Sequence, residues 1–274
     1  MVRPQLHSLP ADPTIGCAES VVRPAGRALR PHVLGYSGFR ATVAGRVPRR
    51  VLPLNLTTVL VDVASGNAVV SGPRRAPVVD DELFNWSHGV AIGLTPVGVS
   101  ALLGVPSRDL VGATLRLDAL VGRRATELAD RLGEVHDWAS RFRVLENLLA
   151  AWRRPDGRAD AVVTRAWWRL QDPDDPVTIG ALAGELGVSR RRIELGFQRQ
   201  IGLSPKTVAR ITRFQQAVAL LRGPGTGAGV ATACGYADQA HLTREIRQLA
   251  GVTPTELFAF LQDAPDPRHY GGVA

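Results

Sequence analysis

The chain has 274 residues, 45% hydrophobic and 21% charged, which excludes a disordered polyelectrolyte, and no apolar run long enough to cross a bilayer as a helix. A formal net charge of +8 favours a polyanionic partner over an acidic small molecule. Cys17 and Cys234 lie far apart and imply no disulfide framework, and Arg3 is followed by Pro4, Pro10 and Pro13 without an apolar secretion segment, so the chain is expected in the cytoplasm.

Residues 1–30 are rich in Pro, Arg and Ala without a period and are expected to be a poorly ordered extension with a short element near Ile15. Residues 31–171 are expected to form an α+β module. Thr58 to Val63 and Ala68 to Val70 flank a Ser-Gly-Asn turn and predict a hairpin. With Val33 to Val43, Val78-Val79 and Val90 to Leu94 they make a small, mostly antiparallel sheet, and Pro48, Pro53, Pro73, Pro77 and Pro96 fall between the runs, where no ladder donor is needed.

From Val97 the period becomes helical. Val99, Leu102 and Leu103 make a short turn, and Ser107 is expected to cap the next turn at Asp109-Leu110. Helices follow at about 123–132, 136–152 and 159–170, the second with Trp138, Phe142, Leu145, Leu149 and Trp152 as its buried stripe. Residues 172–176 then break the helix with two prolines and three acids, the expected linker between domains.

Residues 177–262 contain one pattern twice, before a tail at 263–274. LAGELG at 182–187 and VATACG at 230–235 each precede a turn, then a segment ending in Gly-(Leu/Val)-(Ser/Thr)-Pro. Each copy predicts a helix, a tight turn and a second helix, the plan of a helix-turn-helix unit. Thr178 and Ser189 are caps in the first copy and Asp238 in the second, giving recognition helices at 190–200 and 239–249. Between the copies, Val208, Ile211, Phe214, Val218 and Leu221 share one face of a helix over 205–221, a strut about 25 Å long at 1.5 Å per residue. That length suits two recognition helices about 34 Å apart, one turn of DNA, once their own offsets are added.

Basicity is concentrated in the same region: residues 176–262 hold ten Arg or Lys against five Asp or Glu, and residues 1–175 hold 22 against 18. Arg190, Arg191 and Arg192 occupy the first turn of the first recognition helix, where the macrodipole disfavours each cation by about 0.3–1 kcal/mol, and the placement points to an external anion. In the second helix Leu242, Ile246 and Leu249 point inward, leaving Gln239, His241, Thr243, Arg244 and Arg247 outside.

GYADQAHLTREIRQLAGVTP, residues 235–254, is close to the signature of AraC/XylS-type transcriptional regulators, and GVSRRRIELGFQRQIGLSPK, residues 187–206, supports it independently. The resemblance implies double-stranded DNA as partner. It implies base reading by Arg191, Glu194, Gln239, His241 and Arg244, and phosphate contact by Arg190, Arg192, Arg199 and Arg247. It allows RNA polymerase and a small-molecule effector as further partners, and a monomer or homodimer, with no cofactor, metal or membrane partner and no enzymatic activity. Leu195 and Gly196 stand where many relatives carry a basic residue, and a glycine inside a helix costs about 1 kcal/mol against alanine, so the first unit is expected to anchor to the backbone and the second to do more of the reading. The glycine-rich 223–229 predicts a short helix at Val230. Residues from about His32 to Leu149 resemble an N-terminal module found on many such regulators from high-GC bacteria, the likeness being carried by GVAIGLTPVGVSALLGVPSRDLVGATLRLDALVG, residues 89–122.

Two alternatives differ in the N-terminal module, which could carry an enzyme delivered to DNA or serve only as an interaction surface. Asp80, Asp81 and Glu82 cluster without a partner base or nucleophile, and no histidines fall at ligand spacing. The tryptophans at 138, 152, 167 and 168 have helical spacing and are expected to be packing residues, and the thiols of Cys17 and Cys234 inert.

Overall fold

The computed structural model describes residues 5–10, 17–42, 48–80, 87–154, 159–172, 175–223 and 226–262. Ile15, Asp81, Glu82 and the tail from 263 lie outside them. The fold is α+β: antiparallel sheets and helices in the N-terminal module, then an all-α domain. Among the described residues the strands form two sheets. Strands β1 (Ser8–Pro10), β4 (Arg49–Val51) and β7 (Val78–Asp80) make the smaller one, in the order β1-β4-β7. The larger has the order β2-β3-β8-β5-β6-β9, from β2 (Cys17–Pro24), β3 (Val33–Ala41), β5 (Thr57–Asp62), β6 (Ala68–Ser71), β8 (His88–Leu94) and β9 (Thr114–Arg116).

Strand β5 lies between β8 and β6 and is buried along its whole length, which its β-branched run allows. Val59 and Val61 face the main core, while Leu60 packs with Val51 and Val69 on the opposite side. The predicted hairpin is β5-β6. Its turn is closed by Asp62, whose Oδ1 accepts from the amide of Ala64 at 2.9 Å and whose Oδ2 accepts from the Ser65 hydroxyl at 2.7 Å. Where the composition suggested an extension of low order, residues 17–24 form an edge strand along β3. Its only β-branched pair is Val21-Val22, so the strand rests on backbone pairing that side-chain pattern does not reveal.

The main core is closed by helices. Val99, Leu102 and Leu103 are buried in a π-helical turn ended by Gly104 at φ 78°, which only glycine adopts without strain. The next turn, Ser107–Leu110, starts after Pro106, so Ser107 lies inside it and does not cap it. Helices α1 (Arg123–Gly133) and α2 (Trp138–Trp152) complete the cluster; of the predicted stripe Phe142, Leu145, Leu149 and Trp152 are buried, while Trp138, in the first turn of α2, is only half-buried.

The C-terminal region is helical: α3 (Ala161–Leu170), α4 (Ile179–Glu185), α5 (Arg190–Gln200), α6 (Pro205–Leu221), α7 (Gly227–Ala233), α8 (Gln239–Ala250) and α9 (Pro254–Gln262). One cluster joins Val163, Ala166, Trp167 and Leu170 of α3 to Leu182, Ile193 and Phe197 of the first unit and to Leu54 and Leu56 before β5. Another joins Phe214 and Val218 of α6 to Leu242, Ile246 and Leu249, to Leu9 of β1 and to Leu52 just after β4. The linker helix is also hydrogen-bonded to the N-terminal module: Asn55, fully buried, donates to the Thr212 hydroxyl at 2.9 Å, and Gln215 donates to the carbonyls of Leu6 and Pro53 at 3.1 and 3.0 Å. Among the described residues no helix is long and apolar enough to cross a membrane.

Candidate nucleic-acid interface

Both units are built by the same local devices. In the first, the Thr178 hydroxyl accepts from the amide of Ala181 and the Ser189 hydroxyl from that of Arg192, so α4 and α5 each start on a cap. Gly187, at φ 65°, makes the turn between them. In the second, Thr226 caps α7, Gly235 at φ 68° makes the turn, and Asp238 accepts from the His241 amide at 2.6 Å to start α8. The glycine-rich approach therefore still yields a capped, seven-residue helix.

On α5, Ile193, Gly196 and Phe197 are buried and Arg190, Arg191, Arg192, Glu194, Leu195, Gln198 and Arg199 are exposed. The three leading arginines part company. Arg190 folds back over Gly180 at the start of α4, close enough that a Cβ there would collide with its guanidinium. Arg192 is ion-paired with Asp160, the cap of α3. Burial would push the Asp160 carboxyl up, but the Arg192 guanidinium and the amides of Val163 and Val162 outweigh it and hold the group below its ordinary value of 3.8. Arg191 instead lines a shallow depression of about 490 Å³ with Glu194, Leu195, Gln198 and, from the start of α6, Lys206. Gln198 and Lys206 were not singled out in the sequence; Gln198 was findable one turn beyond Glu194, while Lys206 adds only to the net charge.

Gly196 has a packing role. A Cβ at this position would collide with the side chain of Val163, which is 1% exposed, so the missing side chain lets α5 approach α3. The far end of α5 is held by the N-terminal module: Arg108 donates to the carbonyl of Arg199 at 2.6 Å and Arg75 to that of Gly202 at 3.0 Å. Cations there complement the negative end of the helix dipole.

On α8, Gln239, Arg244, Arg247 and Gln248 are exposed and His241 is half-buried. His241 Nδ1 accepts from the Ala237 amide at 3.4 Å and its ring meets Tyr236 edge-on at 5.2 Å. With Nδ1 engaged by the amide, Nε2 is the ring nitrogen left to donate, and a purine N7 or a guanine O6 would accept from it. Thr243 donates to the Gln239 carbonyl at 2.9 Å, so its hydroxyl proton is engaged inside the helix. Gln239 lies against Gly227, where a Cβ would stand 3.0 Å from its Nε2.

The linker helix sets the orientation of α8. Arg210 donates through two nitrogens to Glu245, at 2.9 Å for the closest pairs, and to the Gln248 carbonyl oxygen at 2.5 Å. Arg213 sits 4.5 Å over the ring of Tyr236, whose hydroxyl is pushed up to about 12, mainly by burial. Beyond α8, Gly251 at φ 69° ends the helix beside Arg50 of β4 and Pro77 just before β7. The exposed face across both units, leaving out the paired Arg192, thus carries Arg190, Arg191, Arg199, Lys206, Arg244 and Arg247 with Glu194 the one acid on α5. No group of three potential metal ligands occurs among the described residues.

Residues 182–259 match a family model described as a helix-turn-helix domain. Over 85 residues the chain is 34% identical to a probable thc operon regulatory protein of Rhodococcus erythropolis, covering 30% of this chain and 26% of that protein. The chain thus spans about a quarter of the length of that relative. A probable AraC family transcriptional regulator from Rhodopseudomonas palustris CGA009 is 30% identical, with 39% of this chain and 100% of that one covered and a TM-score of 0.34. Unsaturated fatty acid bound wild-type ToxT from Vibrio cholerae aligns over 96% of this chain and all of its own, at 13% identity and a TM-score of 0.41, too distant a likeness to carry a ligand across. On the duplicated capped units, the signature in the second of them and the family match, residues 182–259 are a helix-turn-helix domain of the AraC/XylS type.

Proposed function

We propose that the chain is a sequence-specific transcriptional regulator that sets α5 and α8 into two successive major grooves on one face of a DNA duplex. The observation that carries this reading is the pair of capped recognition helices, basic and polar on their outer faces, joined by the 17-residue α6. At 1.5 Å per residue α6 is about 25 Å long, which supports a spacing of about one DNA turn between the units. Base edges are read by Arg191 and Glu194 from α5 and by Gln239, His241 and Arg244 from α8. Arg190, Arg199 and Arg247 contact phosphates. Arg192, which the sequence placed among them, serves in this reading to join α5 to α3 through Asp160.

Control by an effector at the N-terminal module is part of the same proposal. Its support is that the module reaches both units, through Arg108 and Arg75 at the end of α5 and through Asn55 and the Leu6 and Pro53 carbonyls on α6. A ligand that repacks the module would shift the linker helix and with it both recognition helices. Titration of the full chain onto duplex DNA at several salt concentrations tests the DNA reading: affinity should fall steeply with salt, by a slope of several released ions. Failure to bind any duplex from a random pool at low salt would overturn it.

A further inference from the structure

We propose that Leu195 determines specificity in the first unit by packing against the C5-methyl group of a thymine. The inference rests on the DNA reading above and extends it to a residue outside the predicted readers. Leu195 is 42% exposed, among the few large apolar side chains left open on the described surface. The core does not use it: Ile193, Gly196 and Phe197 form the buried side of α5, and Leu195 is on none of the apolar clusters. It shares the depression with Arg191, Glu194, Gln198 and Lys206, and with Ile179, Ser204 and Pro205.

That setting decides between occupants. One exposed leucine, with only the half-buried Ile179 and the buried Pro205 as apolar neighbours in the depression and two cations, a carboxylate and an amide around them, is too small an apolar patch for a protein partner, which needs a larger contiguous one. The same ring matches a major-groove edge, where donors and acceptors surround one apolar group, the thymine methyl. Arg191 and Lys206 match guanine O6 and N7 or phosphate, and Glu194 accepts from the amino group of cytosine. Leu195 then gives α5 an apolar contact that selects thymine over cytosine at one position.

The test uses the full chain and a duplex selected from a random library. Each thymine in the half-site of the first unit is replaced in turn by deoxyuridine, which removes only the methyl group. At one position the wild-type chain should lose affinity about fourfold, the effect of leaving one methyl unburied. Leu195→Ala, on an exposed helical site where alanine is the best helix former, should bind the thymine duplex about that much more weakly and be indifferent to deoxyuridine. Its salt slope should stay that of the wild type, because no phosphate contact is lost. If Leu195→Ala keeps the wild-type ratio between thymine and deoxyuridine at every position, the assignment is overturned while the DNA reading stands. If the wild-type chain binds no duplex, both fall together.

Discussion

The two helix-turn-helix units share caps, turn glycines and inward apolar positions, yet their recognition helices are secured from different sides. The first is gripped by parts of the chain outside the duplicated unit: Val163 and Asp160 from α3 against Gly196 and Arg192, and Arg108 and Arg75 at its far end. The second is oriented mostly from within, by Arg210 and Arg213 of the linker helix acting on Glu245, Gln248 and Tyr236. The difference shows why residues that look alike in sequence do unlike work. Three adjacent arginines on α5 have three separate surroundings, because the first-turn positions of a helix point in directions about 100° apart and only one of them opens onto the depression.

The comparison is sharpest at the two contacts that hold the helices. Arg210→Ala strands the largely buried Glu245 without its partner and should destabilise the chain by about 2–3 kcal/mol, read by denaturant titration. A loss below about 0.5 kcal/mol would mean that the linker does not orient α8. Arg244→Ala should leave stability unchanged and weaken binding to a selected site by about 1–3 kcal/mol, and unchanged affinity in a gel-shift titration would remove Arg244 from the readers.

Gly196→Ala should destabilise by about 1–2 kcal/mol, because the added methyl meets the buried Val163 and this outweighs the roughly 1 kcal/mol gained in helix propensity. A stabilised variant would mean that the glycine is a defect in the helix and that the first unit is loosely held.

A smaller effect belongs to the Asp160–Arg192 pair. Its carboxyl has a depressed pKa when folded, so its contribution is complete above 3.8 and is lost as pH falls below that value through the folded one. Asp160→Asn should remove this acid-side component from the stability profile, at most about 1 kcal/mol for a partly exposed pair. An identical profile would show that the ion pair does not hold α5. Arg247→Ala should weaken binding on all sequences alike and lower the salt slope by about one, and an unaltered slope would place Arg247 away from phosphate.

Much of this was legible in the sequence. The repeat, its caps and the period of α6 marked the helices of the second domain, because each depends on neighbours three or four residues away. The hairpin β5-β6 was legible for the same reason. Strands β1, β2, β4 and β9 were not: they are short or at sheet edges, and their partners lie far along the chain. Individual site residues were harder still. Nothing local to Arg192 announces Asp160, 32 residues earlier, and Gly196 reads as a helix breaker until Val163 is found against it.

Selection of bound duplexes from a random library by the full chain tests the central claim most directly. Two recognition helices held about one DNA turn apart predict a motif of two half-sites with centres about 10 base pairs apart, both enriched over background. A single half-site, or two with freely varying spacing, would contradict the claim that α6 holds both units on successive major grooves.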